Sequence, residues 1–240
     1  MKFASRTQLQ TLLFFVLALG VLAVSGNGLG QEPGATAANP KKILFLGNSI
    51  TLHGPKKDIG WAGHWGMAAS AEDKDFVHLV AKALTGKDGR SPEILVKNIA
   101  SFEREFAKYD PAVELKDATT FNADLIVVAI GENVPALGTE EAKAGFSDRL
   151  VRLLKSVTAD RKPRIIVRSC FWANAAKDES LKRACREIGG RFLDISALGK
   201  EEANYARSER KIEHKGVANH PGDRGMRAIA DAIVGAVRLP

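Results

Sequence analysis

At 240 residues, 45% of them hydrophobic and 26% charged, the chain is long enough to bury one well-developed core, and its composition excludes a disordered or low-complexity protein. Thirty-five basic residues against 28 acidic ones give a net charge of +7, but the two signs alternate, as in Lys56-Lys57-Asp58, Glu103-Arg104-Glu105, and Lys182-Arg183 with Glu187. Such charges read as a solvated surface rather than the basic stripe with interleaved aromatics that nucleic acid requires, so no nucleic-acid partner is expected.

Lys2 and Arg6 precede an uncharged run from Leu12 to Val24, followed by the small residues Ser25, Gly26 and Gly28. Thirteen residues are short for a bilayer-spanning helix. Residues 1–30 therefore read as a signal peptide, with an uncleaved anchor as the alternative, and the mature protein is expected in a periplasm or secreted, without a stable membrane anchor. Losing that segment removes two bases and no acids, which leaves a mild net charge of +5. Residues 31–40, rich in Pro, Gly and Ala, read as a linker, and one domain follows over 41–240. Cys170 and Cys185 are the only cysteines. An exported protein permits a disulfide between them, and two buried thiols fit a core of this size equally well.

The domain opens on Ile43-Leu44-Phe45-Leu46, an apolar run that stops at Gly47 and delivers Asn48-Ser49. A run apolar on both faces predicts a strand inside a parallel sheet, and its carboxyl end is where open α/β sheets bind ligands. Ser49 there is a nucleophile candidate, although Gly-Asn-Ser is also ordinary turn and helix-capping chemistry. Residues 52–70 hold four glycines with Trp61, His64 and Trp65 and read as a long loop. Helical spacing follows from Phe76 to Leu84, then an apolar run at 94–96, and then the most apolar run of the mature chain at 125–130, closed by Gly131. Periodicity predicts helices over 140–157, 181–188 and 226–237, with strands at 164–167 and 192–195 between them. Strands alternating with helices imply a parallel sheet covered on both faces, a three-layer α/β/α sandwich.

Three chemistry-bearing stretches then fall at strand ends or before a helix: Ser49, Gly131-Glu132-Asn133, and His220-Pro221. A serine, a histidine and an amide donor on one sheet edge are the parts needed for acyl transfer. The chain resembles the SGNH hydrolase superfamily, the GDSL-like lipases and esterases. Gly47-Asn48-Ser49-Ile50 is similar to its first block, with Asn48 in place of the usual aspartate; Gly131-Glu132-Asn133 is similar to its Gly-x-Asn block; and Asn219 to Met226 is similar to its His-Pro-Asn-x-x-Gly-Met block. The resemblance implies a five-stranded flavodoxin-like parallel sheet of order 2-1-3-4-5 and a serine esterase without metal or organic cofactor. Ser49 would be the nucleophile and His220 its base, with the oxyanion held by the N–H of Ser49, the Asn133 amide and an N–H near Ala100 or Ser101.

Two departures stand against that pattern. Asn98 to Glu103 contains no glycine where the second block has one, and Val217 stands where an aspartate would orient the histidine. A backbone carbonyl between Gly216 and Asn219 is the expected replacement, ahead of Glu213 and then Asp194. Asn48, Trp61 and Trp65 are the expected substrate contacts, the tryptophans either as a wall that stacks on a sugar ring or as core of their own loop. His53, His64, His78 and His214 read as structural or surface residues, and no pair has a zinc-site spacing. A small-molecule or polysaccharide ester, with an acetylated carbohydrate favoured, is the expected substrate. The competing readings are a catalytically weak or inactive carbohydrate-binding module on the same fold, and a flavodoxin-like FMN carrier, for which the phosphate-binding donors after the first strand are few.

Overall fold

Five apolar segments build the sheet: β1 (Lys42–Gly47), β2 (Glu93–Asn98), β3 (Leu125–Ala129), β4 (Arg164–Arg168) and β5 (Arg191–Leu193), all parallel and in the order β2-β1-β3-β4-β5. The computed structural model describes residues 39–239. The expected signal peptide and residues 31–38 of the expected linker lie outside the described residues.

Because successive side chains of a strand point to opposite faces, β1 and β3 each feed two cores. Ile43, Phe45, Leu125 and Val127 face one layer, while Leu44, Leu46, Ile126 and Val128 face the other. The first layer is covered by α1 (Phe76–Ala83) and, at the carboxyl end of the chain, the helix of residues 223–238, through Phe76, Val77, Met226, Ile229 and Ile233. The opposite layer carries α2 (Ala100–Glu105), α3 (Pro111–Glu114), α4 (Lys116–Phe121), α5 (Glu140–Thr158) and α6 (Ala175–Glu187), with Phe102, Phe146, Leu150 and Leu181 at its centre. Two short helices, α7 (Ala206–Glu209) and α8 (Lys215–Ala218), lead into α9 (Asp223–Arg238). The sandwich and the strand order expected from the sequence are both present.

The differences lie in the connections. Residues 100–121 form three short helices that periodicity did not predict, because each is too short to show a repeat. Helix α6 begins six residues earlier than its apolar pattern, where Asn174 caps it by accepting from the Lys177 N–H. Cys170 and Cys185 are both buried and free, so the thiol reading holds. Among the described residues no helix is long and apolar enough to cross a membrane.

Candidate active site

Parallel strands bring the ends of β1 and β3 together, and the chain reverses its direction of winding between them, since β1 lies between β2 and β3. Ser49 lies in a tight turn two residues past β1. The N–H groups of Thr51 and Leu52 both bond to the Asn48 carbonyl, and that of Ile50 bonds to Asn48 Oδ1. The Ser49 N–H has no partner among the described residues and is a free donor beside its own hydroxyl.

Ser49 Oγ lies 2.8 Å from His220 Nε2. On the other side of the imidazole, His220 Nδ1 lies 2.7 Å from the Gly216 carbonyl oxygen. A carbonyl only accepts, so Nδ1 carries the proton and Nε2 turns a lone pair toward the serine hydroxyl. The ring is fixed from several sides: the His220 N–H bonds to the Val217 carbonyl, its carbonyl accepts from Ala206, and Trp172 packs edge-on at 5.4 Å between ring centroids. Burial lowers the proton affinity of His220 below the ordinary histidine value, against the raising effect of the Gly216 carbonyl, and the neighbouring His53 and His214 lower it further. The imidazole is thereby kept neutral and ready to accept a proton.

A buried polar network lies beneath the pair. Glu103 Oε1 accepts from the N–H of Gly131 at 2.6 Å, from that of Asn133 at 3.1 Å and from Asn48 Nδ2 at 3.2 Å, and its Oε2 accepts from Asn133 Nδ2 at 2.7 Å. Glu132 takes Asn48 Nδ2 at 2.6 Å, Arg168 Nη1 at 2.7 Å and the Phe171 N–H at 2.9 Å. Burial and the charge of Glu132 raise the proton affinity of Glu103. For Glu132, burial acts in the same upward direction, but the charge and hydrogen bond of Arg168 outweigh it and hold the carboxyl below its usual range. Gly131 sits at φ +125°, where an added Cβ would come within 2.5 Å of Cys170 Sγ, so glycine is required for its N–H to reach Glu103.

Ser49, Asn133 and His220 open into a cavity of about 560 Å³. Solved structures of the same architecture include a GDSL-like lipase from Bacteroides uniformis at 14% identity and TM-score 0.51, with 82% of this chain and 95% of that one aligned. A family two carbohydrate esterase from Cellvibrio japonicus aligns at 16% identity and TM-score 0.51, and an acetyl xylan esterase from Butyrivibrio proteoclasticus at 17% and 0.50. Each of the two covers 82% of this chain, which spans 60% and 63% of their respective lengths. No family model and no curated protein matches the sequence. The chain has the SGNH-hydrolase fold.

On this SGNH scaffold several sequence expectations need correction. Asn48 is fully buried and spends its amide on Glu103 and Glu132, so it holds the site from below and is not among the residues that line the cavity. Trp61 is buried in its loop and Trp65 half-buried against it: their rings pack at 5.7 Å and 76°, their N–H groups bond to the carbonyls of His53 and Ala69, and neither lines the cavity. Ala100 does line it, but its N–H is bonded to Asn98 Oδ1; the Ser101 N–H, next in the turn, has no partner among the described residues. Glu213 is exposed and pairs with Lys211, and Asp194 accepts from Ser169 and from the Ser196 N–H, so neither carboxylate meets the imidazole. Val217 is instead buried against Trp61 and Met67, an apolar contact that leaves the orienting role to the neighbouring carbonyl.

His53 and His214, read as structural or surface residues, both line the cavity. Glu103, read with its neighbours as solvated, is fully buried. Its signal was the helical spacing Ile99, Phe102, Glu103, Phe106, which puts the carboxylate on the apolar face of α2. Among the described residues no group of three or more His, Cys, Asp or Glu could hold a metal ion.

Proposed function

We propose that the protein is a serine esterase of the SGNH type, exported from the cell, that cleaves carboxylic esters through an acyl-enzyme at Ser49, acetyl esters on carbohydrate being the favoured substrates. The observation that carries this reading is the 2.8 Å contact between Ser49 Oγ and His220 Nε2, with the far ring nitrogen fixed on the Gly216 carbonyl. Ser49 Oγ attacks the ester carbonyl as its proton passes to Nε2, and the tetrahedral oxyanion is held by the Ser49 N–H and the second amide hydrogen of Asn133, whose first is taken by Glu103. Collapse expels the alcohol, which leaves with the proton from Nε2, and water repeats the sequence to release the acid. A carbonyl stabilises the imidazolium less than a carboxylate does, so turnover is expected to be modest.

Fold neighbours that are carbohydrate esterases support sugar esters at the level of fold analogy. The run from Leu12 to Val24, outside the described residues, supports export. A fluorophosphonate should label the wild type at Ser49 and leave Ser49→Ala unlabelled, and acetate release from acetylated sugars and xylan should fall more than tenfold in that variant. Retention of over a tenth of the rate would remove Ser49 as nucleophile, and sugar binding without label or release would point to a binding module.

A further inference from the structure

The cavity at Ser49 and His220 has a one-sided charge. Lys56, Arg104, His53 and His214 line it, and among the described residues no aspartate or glutamate does. Arg104, exposed on α2 and next in sequence to the buried Glu103, has no ion-pair or hydrogen-bond partner among the described residues. Lys56 lies 3.6 Å from Asp58, but both side chains are more than half exposed, and such a surface pair is weak. Asp58 and Glu213 instead line an adjoining depression that shares Ile59 and His214 with the cavity. The acids of the network beneath the nucleophile, Glu103 and Glu132, have buried side chains turned to Asn48, Asn133, Gly131 and Arg168. A neutral acetylated sugar would leave Arg104 without a counter-charge and Lys56 with only its weak surface pair. A guanidinium in particular matches the planar geometry of a carboxylate or sulfate.

We infer that the substrate is an ester of an acidic sugar, and that Arg104, assisted by Lys56, binds an oxyanion on that sugar while Ser49 takes its acyl group. This inference rests on the esterase reading of the same site and deepens it. The two sources of such a group, a uronate carboxylate and a sulfate, present the same chemistry to the cavity.

The test compares monoacetates of methyl galactoside, methyl galacturonoside and methyl galactoside 6-sulfate on the full chain. The charged esters should be preferred in kcat/KM by about tenfold or more at low salt, chiefly through KM, and the preference should shrink as salt screens it. The arm that gains more identifies the group. Arg104→Gln should collapse the charged-to-neutral ratio, and Arg104→Lys should restore part of it. Equal kcat/KM for all three esters, or a ratio unmoved by Arg104→Gln, would overturn the inference while leaving the esterase reading intact. If no ester is cleaved, the esterase reading fails, and calorimetry with the three unacetylated sugars decides the charge question: tighter binding of an acidic sugar, lost in Arg104→Gln, supports it, and equal binding of all three overturns it.

Discussion

Glu103 is fully buried, yet each of its hydrogen bonds among the described residues is one it accepts, and one comes from the Asn133 amide. An ionised carboxylate accepts only, so it forces Asn133 to present its NH₂ end and leaves the second hydrogen of that group for the cavity. Glutamine at 103 could donate instead, and the Asn133 amide could then turn its carbonyl toward the substrate. Glu103→Gln should therefore lower kcat by about a hundredfold with little change in KM, the usual effect of losing one oxyanion donor. Equal thermal stability of the variant would show that positioning, not folding, was lost; an unchanged kcat would make the Asn133 orientation independent of Glu103. Ser49, Asn133 and His220 were legible in the sequence as residues at strand and helix ends, and the structure brings all three to one cavity. Glu103 was not, because a charge inside an acid-base-acid triplet looks solvated until the helix that carries it is known.

At the scale of the element, the long loop after β1 shows what composition alone conceals. Glycines and tryptophans pointed to a loop and left the tryptophans poised between core and substrate wall; in the structure both indole N–H groups turn to carbonyls of the loop itself. The loop is fastened at both ends. The Met67 N–H bonds to the Ser49 carbonyl, and the Gly66 N–H bonds to Asp75 Oδ2, whose Oδ1 caps α1 through the His78 N–H. Asp75 is buried, so removing it orphans two backbone donors, the N–H groups of Gly66 and His78, and also takes the partner from the half-buried His78 ring at Nδ1. A lost N-cap costs about 1 kcal/mol and an unsatisfied buried N–H about 1–3 kcal/mol, so Asp75→Ala should destabilise the domain by roughly 2–4 kcal/mol. In a domain of this size that lowers Tm by about 4–16 °C. Asp75→Ser, which restores only the cap, should recover about 1 kcal/mol in denaturant unfolding; full recovery would show that the Gly66 bond contributes nothing.

For the molecule as a whole, the sheet order was legible because strands apolar on both faces alternate with helical periods, while the polar network across the sheet's carboxyl edge was not, because its members are far apart in sequence and each alone looks ordinary. That network joins the turn after β1, helix α2, the turn after β3 and the end of β4 through Asn48, Glu103, Glu132 and Arg168. Arg168 is fully buried; its guanidinium also donates to the carbonyls of Ser169 and Ala129 and leaves only Nε without a partner. Replacing it by methionine leaves Glu132 buried without a counter-charge, a loss of about 3–5 kcal/mol at neutral pH from a total of roughly 5–15 kcal/mol.

The sign of the pH dependence identifies the cause. In the wild type Glu132 is held below 4.5, its ordinary value, so its contribution is complete above that pH and fades as the pH falls through the depressed value. In Arg168→Met burial raises the same carboxyl above 4.5, so the native state holds a proton that the unfolded chain releases, and stability falls as the pH rises. The gap between wild type and variant should therefore widen from pH 4.5 upward, by at most about 1.4 kcal/mol per pH unit. Glu103, relieved of its neighbour's charge, shifts the opposite way and takes back part of that slope. Urea unfolding at pH 5, 6 and 7 measures the gap, and adding Glu132→Gln should flatten it. A gap of constant size across that range would mean that Arg168 acts by filling space, with its charge of no consequence to the fold.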